Sequence, residues 1–377
     1  MKIAYTTIYD AQDIHKWSGL GYMIANALER QGNEIDFIGG LKSSPAIDMY
    51  LKKLYFKILR KDFDFGREPH TASEYGKQIK ALLKDDTDII FSPGTIPISL
   101  LETNKPKVFY TDATFAGMIG FYKDFSNLSS ETIKHGNFLE KAGLESARLA
   151  IYSSDWAAQS AIKHYGVNPE KVKVVPFGAN LESSRSLDDV KQMVSRRPQN
   201  ECHLLFLAVN WERKGGDIAV KIAGKLNEVG IKTILHVAGI KEIPMETIPS
   251  FVVNHGFISK SNKEGQQLIN KLLSTSHFLL LPTRADCTPV VFSEANSFGL
   301  PCITTNVGGI PTIIRDDVNG KTFPLDASVE SYAGYIQSVF EDKKRYADSA
   351  ASSFHEYESR LNWDIAGKTI NDLMKDL

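Results

Sequence analysis

Residues 279–320 read LLLPTRADCTPVVFSEANSFGLPCITTNVGGIPTIIRDDVNG. An apolar run ends at Pro282, a loop carries Asp286, and a helical pattern carries Glu294. Gly299-Leu300-Pro301 then breaks the helix, and the β-branched run Cys302-Ile303-Thr304-Thr305 follows. Strand, loop, helix and strand in that order read as one unit of a parallel α/β sheet. In such a sheet ligands sit beyond the carboxyl ends of the strands, where loop and helix-start N–H groups point outward. Asp286 and Glu294 occupy that zone, with seven residues between them. A carboxylate accepts two hydrogen bonds from a vicinal diol, so the pair suits a ligand rich in hydroxyls.

Upstream, the same alternation continues through HLLFLAV at 203–209, TILHVAG at 233–239, SFVVNHG at 250–256 and HFLLLP at 277–282. A separate series lies at the other end of the chain: KIAYTT at the start, EIDFIG from Glu34, DIIFS from Asp88, KVFYT from Lys107 and LAIYS from Leu149. Between the two series, LESSRSLDDVKQMVSRRPQN (181–200) is polar, with a short helix inside it, and reads as a connection. A chain of 377 residues also exceeds what one hydrophobic core usually serves. The expectation is therefore an α/β protein of two Rossmann-like domains facing each other across a cleft. The first takes residues 1–185 and the second 186–351. A C-terminal helix over 352–377, with Leu361, Ile365, Ile370 and Leu373 at helical spacing, would cap either domain and is able to pack back on the first.

With 42% hydrophobic and 24% charged residues and a formal net charge of −1, the composition is that of a soluble globular protein, and no nucleic-acid partner is implied. Cys202, Cys287 and Cys302 are odd in number and lie in or beside apolar runs, which argues against a disulfide framework or a thiolate metal site. The N-terminus turns polar at once and no later run has the length of a bilayer span, so a cytoplasmic location is expected. Asp62-Phe63-Asp64 has the spacing of a metal motif, but it sits in the charged run RKDFDFGRE with no strand before it and reads as surface. No metal or cofactor is expected. In LKKLYFKILRK (51–61), Leu51, Leu54, Tyr55 and Ile58 share a helical face beside several lysines. That pattern fits either a helix docked on the first domain or peripheral contact with an anionic inner-membrane surface.

The stretch around Glu294 resembles the donor site of the retaining glycosyltransferases of family 4, which have the GT-B fold: an acid, seven residues, Glu, then Ala and a Gly-Leu-Pro-like turn. Glu294-Ala295 and Gly299-Leu300-Pro301 match, while Asp286 stands where Glu is usual. The resemblance implies that Glu294 binds the ribose hydroxyls of a nucleotide. It also implies that Asp286, with the loop Cys287-Thr288-Pro289-Val290, meets the transferred sugar. In FLAVNWERKGG, Arg213 and Lys214 sit in a glycine-containing loop before a helix, where two cations suit a diphosphate. The family uses such a pair to stabilise the departing nucleotide diphosphate, and the resemblance implies that 186–351 is the nucleotide-sugar donor domain and 1–185 the acceptor-side domain.

By the same resemblance Phe257 and Ile258, after Gly256, are candidates for the base pocket, with an ordinary core role as the alternative. Gly19 and Gly21 are candidates for a loop that approaches the donor, with a tight turn and no ligand as the alternative. Asp112, at the end of a strand, is nominated near the transferred sugar, with His135 as its substitute. Thr304, Thr305, Gly308 and Gly309 shape a loop in which Thr312 replaces the family's Glu.

The expected function is thus retaining transfer of a hexose-like sugar from a nucleoside-diphosphate sugar, UDP by default, to a hydroxyl acceptor, without metal. The nucleotide sugar is a co-substrate. A nucleotide-sugar epimerase or phosphorylase of similar fold, and a non-catalytic nucleotide-sugar-binding protein, are the competing readings.

Overall fold

A computed structural model describes residues 1–181 and 184–377 of the chain. The chain forms two compact units, Met1–Pro176 with Trp363–Leu377, and Phe177–Asn362.

The first unit is built on a sheet of six strands: β1 (Lys2–Thr6), β2 (Glu34–Ile38), β3 (Ile89–Ser92), β4 (Lys107–Thr111), β5 (Leu149–Tyr152) and β6 (Val172–Val174). The order is β2-β1-β3-β4-β5-β6 and every pairing is parallel. Helices on the crossovers cover both faces, which is why β3 and β5 are buried at every residue and read as unbroken apolar runs.

The second unit repeats the design with β7 (Cys202–Leu207), β8 (Thr233–Ala238), β9 (Val252–Asn254), β10 (Phe278–Leu281), β11 (Cys302–Thr305) and β12 (Gly320–Phe323). Its order is β12-β11-β10-β7-β8-β9, again parallel throughout. Leu279, Leu280 and Leu281 are fully buried, each such side chain contributing about 2 kcal/mol of apolar burial. Cys202, Cys287 and Cys302 are all buried thiols.

The division between the units falls after Pro176, so the polar stretch lies within the second unit. Its helix is Leu187–Ser195, started by a capping box in which Ser186 and Asp189 each satisfy the other's backbone N–H. The C-terminal stretch forms two helices. Lys343–Arg360 belongs to the second unit, whereas Trp363–Lys375 joins the first. There it packs on the helix Leu20–Glu29, and Asn33 Nδ2 donates to Asn371 Oδ1 at 2.9 Å. Its buried face is Trp363, Ala366, Gly367, Ile370 and Met374, with Ile365 turned outward.

Candidate functional site

Three loops that follow strands of the second unit are stitched together. After β7, one helical turn spans Trp211–Lys214, and the Asn210 side chain accepts from the Arg213 N–H at 2.9 Å. Arg213 and Lys214 therefore lie on a helical turn, where a loop was expected; the Asn210 cap closes that turn early. Gly215 ends it at φ 74°, where a Cβ would come within 2.0 Å of the Pro282 carbonyl oxygen, so the position excludes every side chain. The loop after β10 answers from its side. Arg284 N–H and the Thr283 hydroxyl both donate to the Arg213 carbonyl, at 2.7 and 3.0 Å. The Arg284 guanidinium forks onto Asp217 at 2.9 and 2.8 Å, and that hydrogen bonding holds the Asp217 carboxyl below the usual carboxylate range. From the loop after β11, Gly309 N–H donates to the Asp286 carbonyl at 3.3 Å.

This stitching brings Arg213, Lys214 and Asp286 into contact. The Lys214 ammonium donates to Asp286 Oδ2, and Arg213 Nη1 reaches the same oxygen at 3.3 Å and the Ala285 carbonyl at 2.8 Å. Lys214 and Asp286 are both buried, so each lowers the cost of burying the other's charge. Cys287, Thr288 and Pro289 are buried beside them, and Val290 begins the helix Val290–Asn296 that carries Glu294.

Glu294 is 1% exposed, yet both its oxygens accept from the Lys260 ammonium, at 2.5 and 2.7 Å. Sequence reasoning missed Lys260. It lies in a loop 34 residues upstream, and one lysine in a polar run carries no signal. Phe257 is 66% exposed, which removes it from the core, whereas Ile258 packs partly against the core of the second unit. Thr304 and Thr305 are buried, with their hydroxyls donating to the Leu281 and Thr283 carbonyls, and so tie β11 to β10. Among the described residues no helix is long and apolar enough to cross a membrane.

Gly19, Gly21 and Asp112 lie in the first unit. Gly19 has φ 78° and caps the helix Leu20–Glu29, after Trp17 and Ser18 at φ 45° and 56°, a left-handed run that costs those two residues roughly 1 kcal/mol each. Gly21 is inside the helix, and a Cβ there would meet the Tyr9 hydroxyl at 2.6 Å. Its smallness is thus explained by internal packing. Asp112 is half-buried just beyond β4.

His135 Nδ1 pairs with Glu68 Oε1 at 2.8 Å. Glu68, Glu131 and His135 are close enough together to hold a metal ion, but the Lys52 ammonium is already on Glu131, at 2.7 Å. In the Asp62-Phe63-Asp64 run, Phe63 is buried and Asp64 accepts from Gly66 N–H at 2.8 Å, capping a short turn.

The helix Ile47–Ile58 docks through Met49 and Phe56 against Phe63. The face bearing Leu51, Leu54, Tyr55 and Ile58 is outward, with Leu51 65% and Ile58 73% exposed.

The family model for glycosyl transferases group 1 matches residues 189–354, and that for glycosyltransferase family 4 matches residues 22–183. Among curated proteins, the chain is 22% identical over 188 residues to the Escherichia coli UDP-Gal:α-D-GlcNAc-diphosphoundecaprenol α-1,3-galactosyltransferase. That match covers 48% of this chain and 48% of the relative, so it spans about half the relative's length. Sucrose-phosphate synthase from Thermosynechococcus elongatus has a similar structure, with a TM-score of 0.70 at 14% identity over 100% of this chain and 98% of that one. Anabaena HepE in complex with UDP-glucose gives a TM-score of 0.61 at 16% identity, covering 100% of both chains.

Proposed function

The chain belongs to the family 4 glycosyltransferases of the GT-B fold, and we propose that this glycosyltransferase moves a hexose-like sugar from a UDP-sugar to a hydroxyl acceptor with retention of anomeric configuration. The observation that carries the reading is the set of buried acids and side-chain cations on the segments that follow β7, β9 and β10. Glu294 presents two oxygens to a single ammonium, which is the acceptor geometry a vicinal ribose diol needs. A nucleotide takes the place of Lys260 there. Arg213 and Lys214 turn from Asp286 to the diphosphate and stabilise the charge that builds as it departs, so side-chain cations do the work a metal does elsewhere. Released from its cations, Asp286 accepts from a hydroxyl of the transferred sugar, beside the loop Cys287-Thr288-Pro289-Val290. Exposed Phe257, with Ile258, offers the base an apolar platform.

UDP as the base carrier is supported by the family resemblance and by relatives that use UDP-galactose or bind UDP-glucose. Retention is supported by the resemblance alone; the acceptor would attack from the face the diphosphate leaves, with the leaving phosphate taking its proton.

The outward apolar face of the helix Ile47–Ile58, flanked by exposed Lys53, Lys57, Arg60 and Lys61, pairs exposed apolar side chains with positive charge as an anionic membrane surface requires. A lipid-linked acceptor, such as the E. coli relative's name describes, would be presented there. Vesicles containing anionic lipid should retain the protein, neutral vesicles should retain less, and Leu51→Ser with Ile58→Ser should abolish retention. Equal retention of the double variant would remove this assignment.

The activity is tested by offering UDP-, GDP- and ADP-hexoses with and without a panel of hydroxyl acceptors, following thermal stability, nucleotide release and the product's anomeric proton signals. A UDP-hexose should stabilise the protein and be consumed when an acceptor is present, giving the donor's anomer. Interconversion of donor alone would show an epimerase, and dependence on inorganic phosphate a phosphorylase. Tight binding without release would show a binding protein, and an inverted product would refute retention.

A further inference from the structure

The loop after β11 touches the candidate site where Gly309 N–H donates to the Asp286 carbonyl, at 3.3 Å. Gly309 also precedes a single helical turn, Ile310–Ile313. In so short a turn most carbonyls lack a partner within the helix, and donors from elsewhere decide whether it holds. Those donors come from Arg360, the last residue of the helix Lys343–Arg360. Its Nη1 donates to the Thr312 carbonyl and its Nη2 to the Ile313 carbonyl, both at 2.7 Å. Its Nε donates to Glu356 Oε2, one helical turn back. Every nitrogen of the guanidinium is thus engaged, and a planar fork fixes two neighbouring carbonyls at once, which a lysine ammonium does not.

Glu356 is 5% exposed and its other oxygen accepts from Arg315, at 3.1 Å. An arginine that served only to neutralise Glu356 would duplicate Arg315. Arg360 instead spends two nitrogens on a turn that lies 47 and 48 residues upstream and whose far end holds Asp286. The helix that carries Glu294 is anchored separately. Asn319 Nδ2 donates to Asn296 Oδ1 at 2.7 Å and to the Ile313 carbonyl at 3.0 Å, and both asparagines are fully buried. Without Arg360 that pair stays in place, Ile313 keeps one donor, and half-buried Thr312 has only water to replace the other.

We propose that Arg360, seated on Glu356, is a positioning residue for the donor site: it holds the turn Ile310–Ile313 so that Gly309 keeps Asp286 where the transferred sugar meets it. The proposal rests on the glycosyltransfer reading above for what Asp286 meets. It divides the donor between two supports. The sugar's share of binding depends on Arg360, and the nucleotide's share, carried by Glu294, does not.

Two measurements on the full chain separate the clamp from the donor reading. Hydrogen–deuterium exchange without ligand reads the clamp alone: in Arg360→Met, peptides covering 306–313 should exchange about tenfold faster, while those covering 290–296 keep the wild-type rate. Calorimetric titration reads the consequence, with UDP and with UDP-glucose or UDP-galactose, whichever the wild type binds more tightly. Arg360→Met should bind that sugar nucleotide about tenfold more weakly, the loss expected for one hydrogen bond to a charged group, and bind UDP as the wild type does. Glu356→Gln keeps an acceptor for Arg360 and opens no cavity, so it guards against misfolding of the first variant; it should weaken the same sugar nucleotide about threefold. The assignment is overturned if exchange over 306–313 is unchanged, if UDP and the sugar nucleotide weaken together, as a purely structural arginine would make them, or if neither weakens. A wild type that binds no UDP-hexose would remove the donor reading, and this role of Arg360 with it, even where exchange shows the clamp to be present.

Discussion

Two buried glutamates, one in each unit, have opposite surroundings. Glu294 is closed on both oxygens by Lys260, and nearby Asp286 shares an oxygen between Lys214 and Arg213. Glu140 accepts from the Thr95 hydroxyl on one oxygen and has the Phe115 backbone N–H and the Arg67 guanidinium near its carboxyl, in a cavity where the Ser92 and Tyr9 hydroxyls and Arg67 Nε lack hydrogen-bond partners. Charges away from water persist when paired, and polar atoms away from water demand hydrogen bonds. A ligand that reaches Glu294 must therefore displace an ammonium, whereas Glu140 answers its burial by holding a proton up to about pH 7. Exchange of ions responds to salt and to removal of the competing cation, while a held proton responds to pH.

The largest effect that sharpens this contrast comes from Lys214→Ala. It leaves buried Asp286 with Arg213 alone and removes a cation from the departing diphosphate. Turnover should fall about 100-fold or more, and unfolding free energy by about 3 kcal/mol in a urea titration. Adding Asp286→Asn should restore most of the stability and none of the turnover. A single variant indistinguishable from wild type in both would dissolve the paired-ion picture.

Next is the pH dependence set by Glu140. Burial raises its carboxyl from near 4.5 to about 7, so between those values the folded chain holds a proton that the unfolded chain releases. Stability should therefore decline as pH rises from about 4.5 to 7 and level off above. The full difference is on the order of 3 kcal/mol. Glu140→Gln should flatten the decline in melting temperature across that window. An unchanged slope would mean that the partners of Glu140 already offset its burial.

The smallest effect belongs to Lys260→Met. A half-exposed ammonium contributes about 1 kcal/mol to such a pair, so relieving the competition should tighten UDP about fivefold and flatten its salt dependence. Weaker UDP binding would show that Lys260 contacts the nucleotide and does not compete with it.

Much of this contrast was legible on one side only. The strand runs were readable because parallel strands buried on both faces are continuously apolar; GKTF, which forms β12, escaped notice because an edge strand needs no such run. Arg213, Lys214, Asp286 and Glu294 are weak signals by their position after strands alone and stand out through the family resemblance; the first three meet in the structure. Lys260 could not be found, since its partner is a helix formed 34 residues later. The Glu140 pocket was invisible for the same reason. Tyr9, Arg67, Ser92 and Glu140 come from four separate segments, and only the packing of the first sheet assembles them. For Gly21 the sequence leaves a donor-facing loop and a turn without ligand both open, because a glycine that makes room for a neighbouring tyrosine looks the same as one that admits a ligand.

The most direct measurement is calorimetric titration of UDP-glucose and UDP-galactose into wild-type protein and Glu294→Ala. Two hydrogen bonds to a charged group are at stake, so the variant should lose about 10- to 100-fold in affinity for whichever sugar nucleotide the wild type prefers. Equal affinity in the two proteins would contradict the placement of the nucleotide on Glu294 and, with it, the donor site in the second unit.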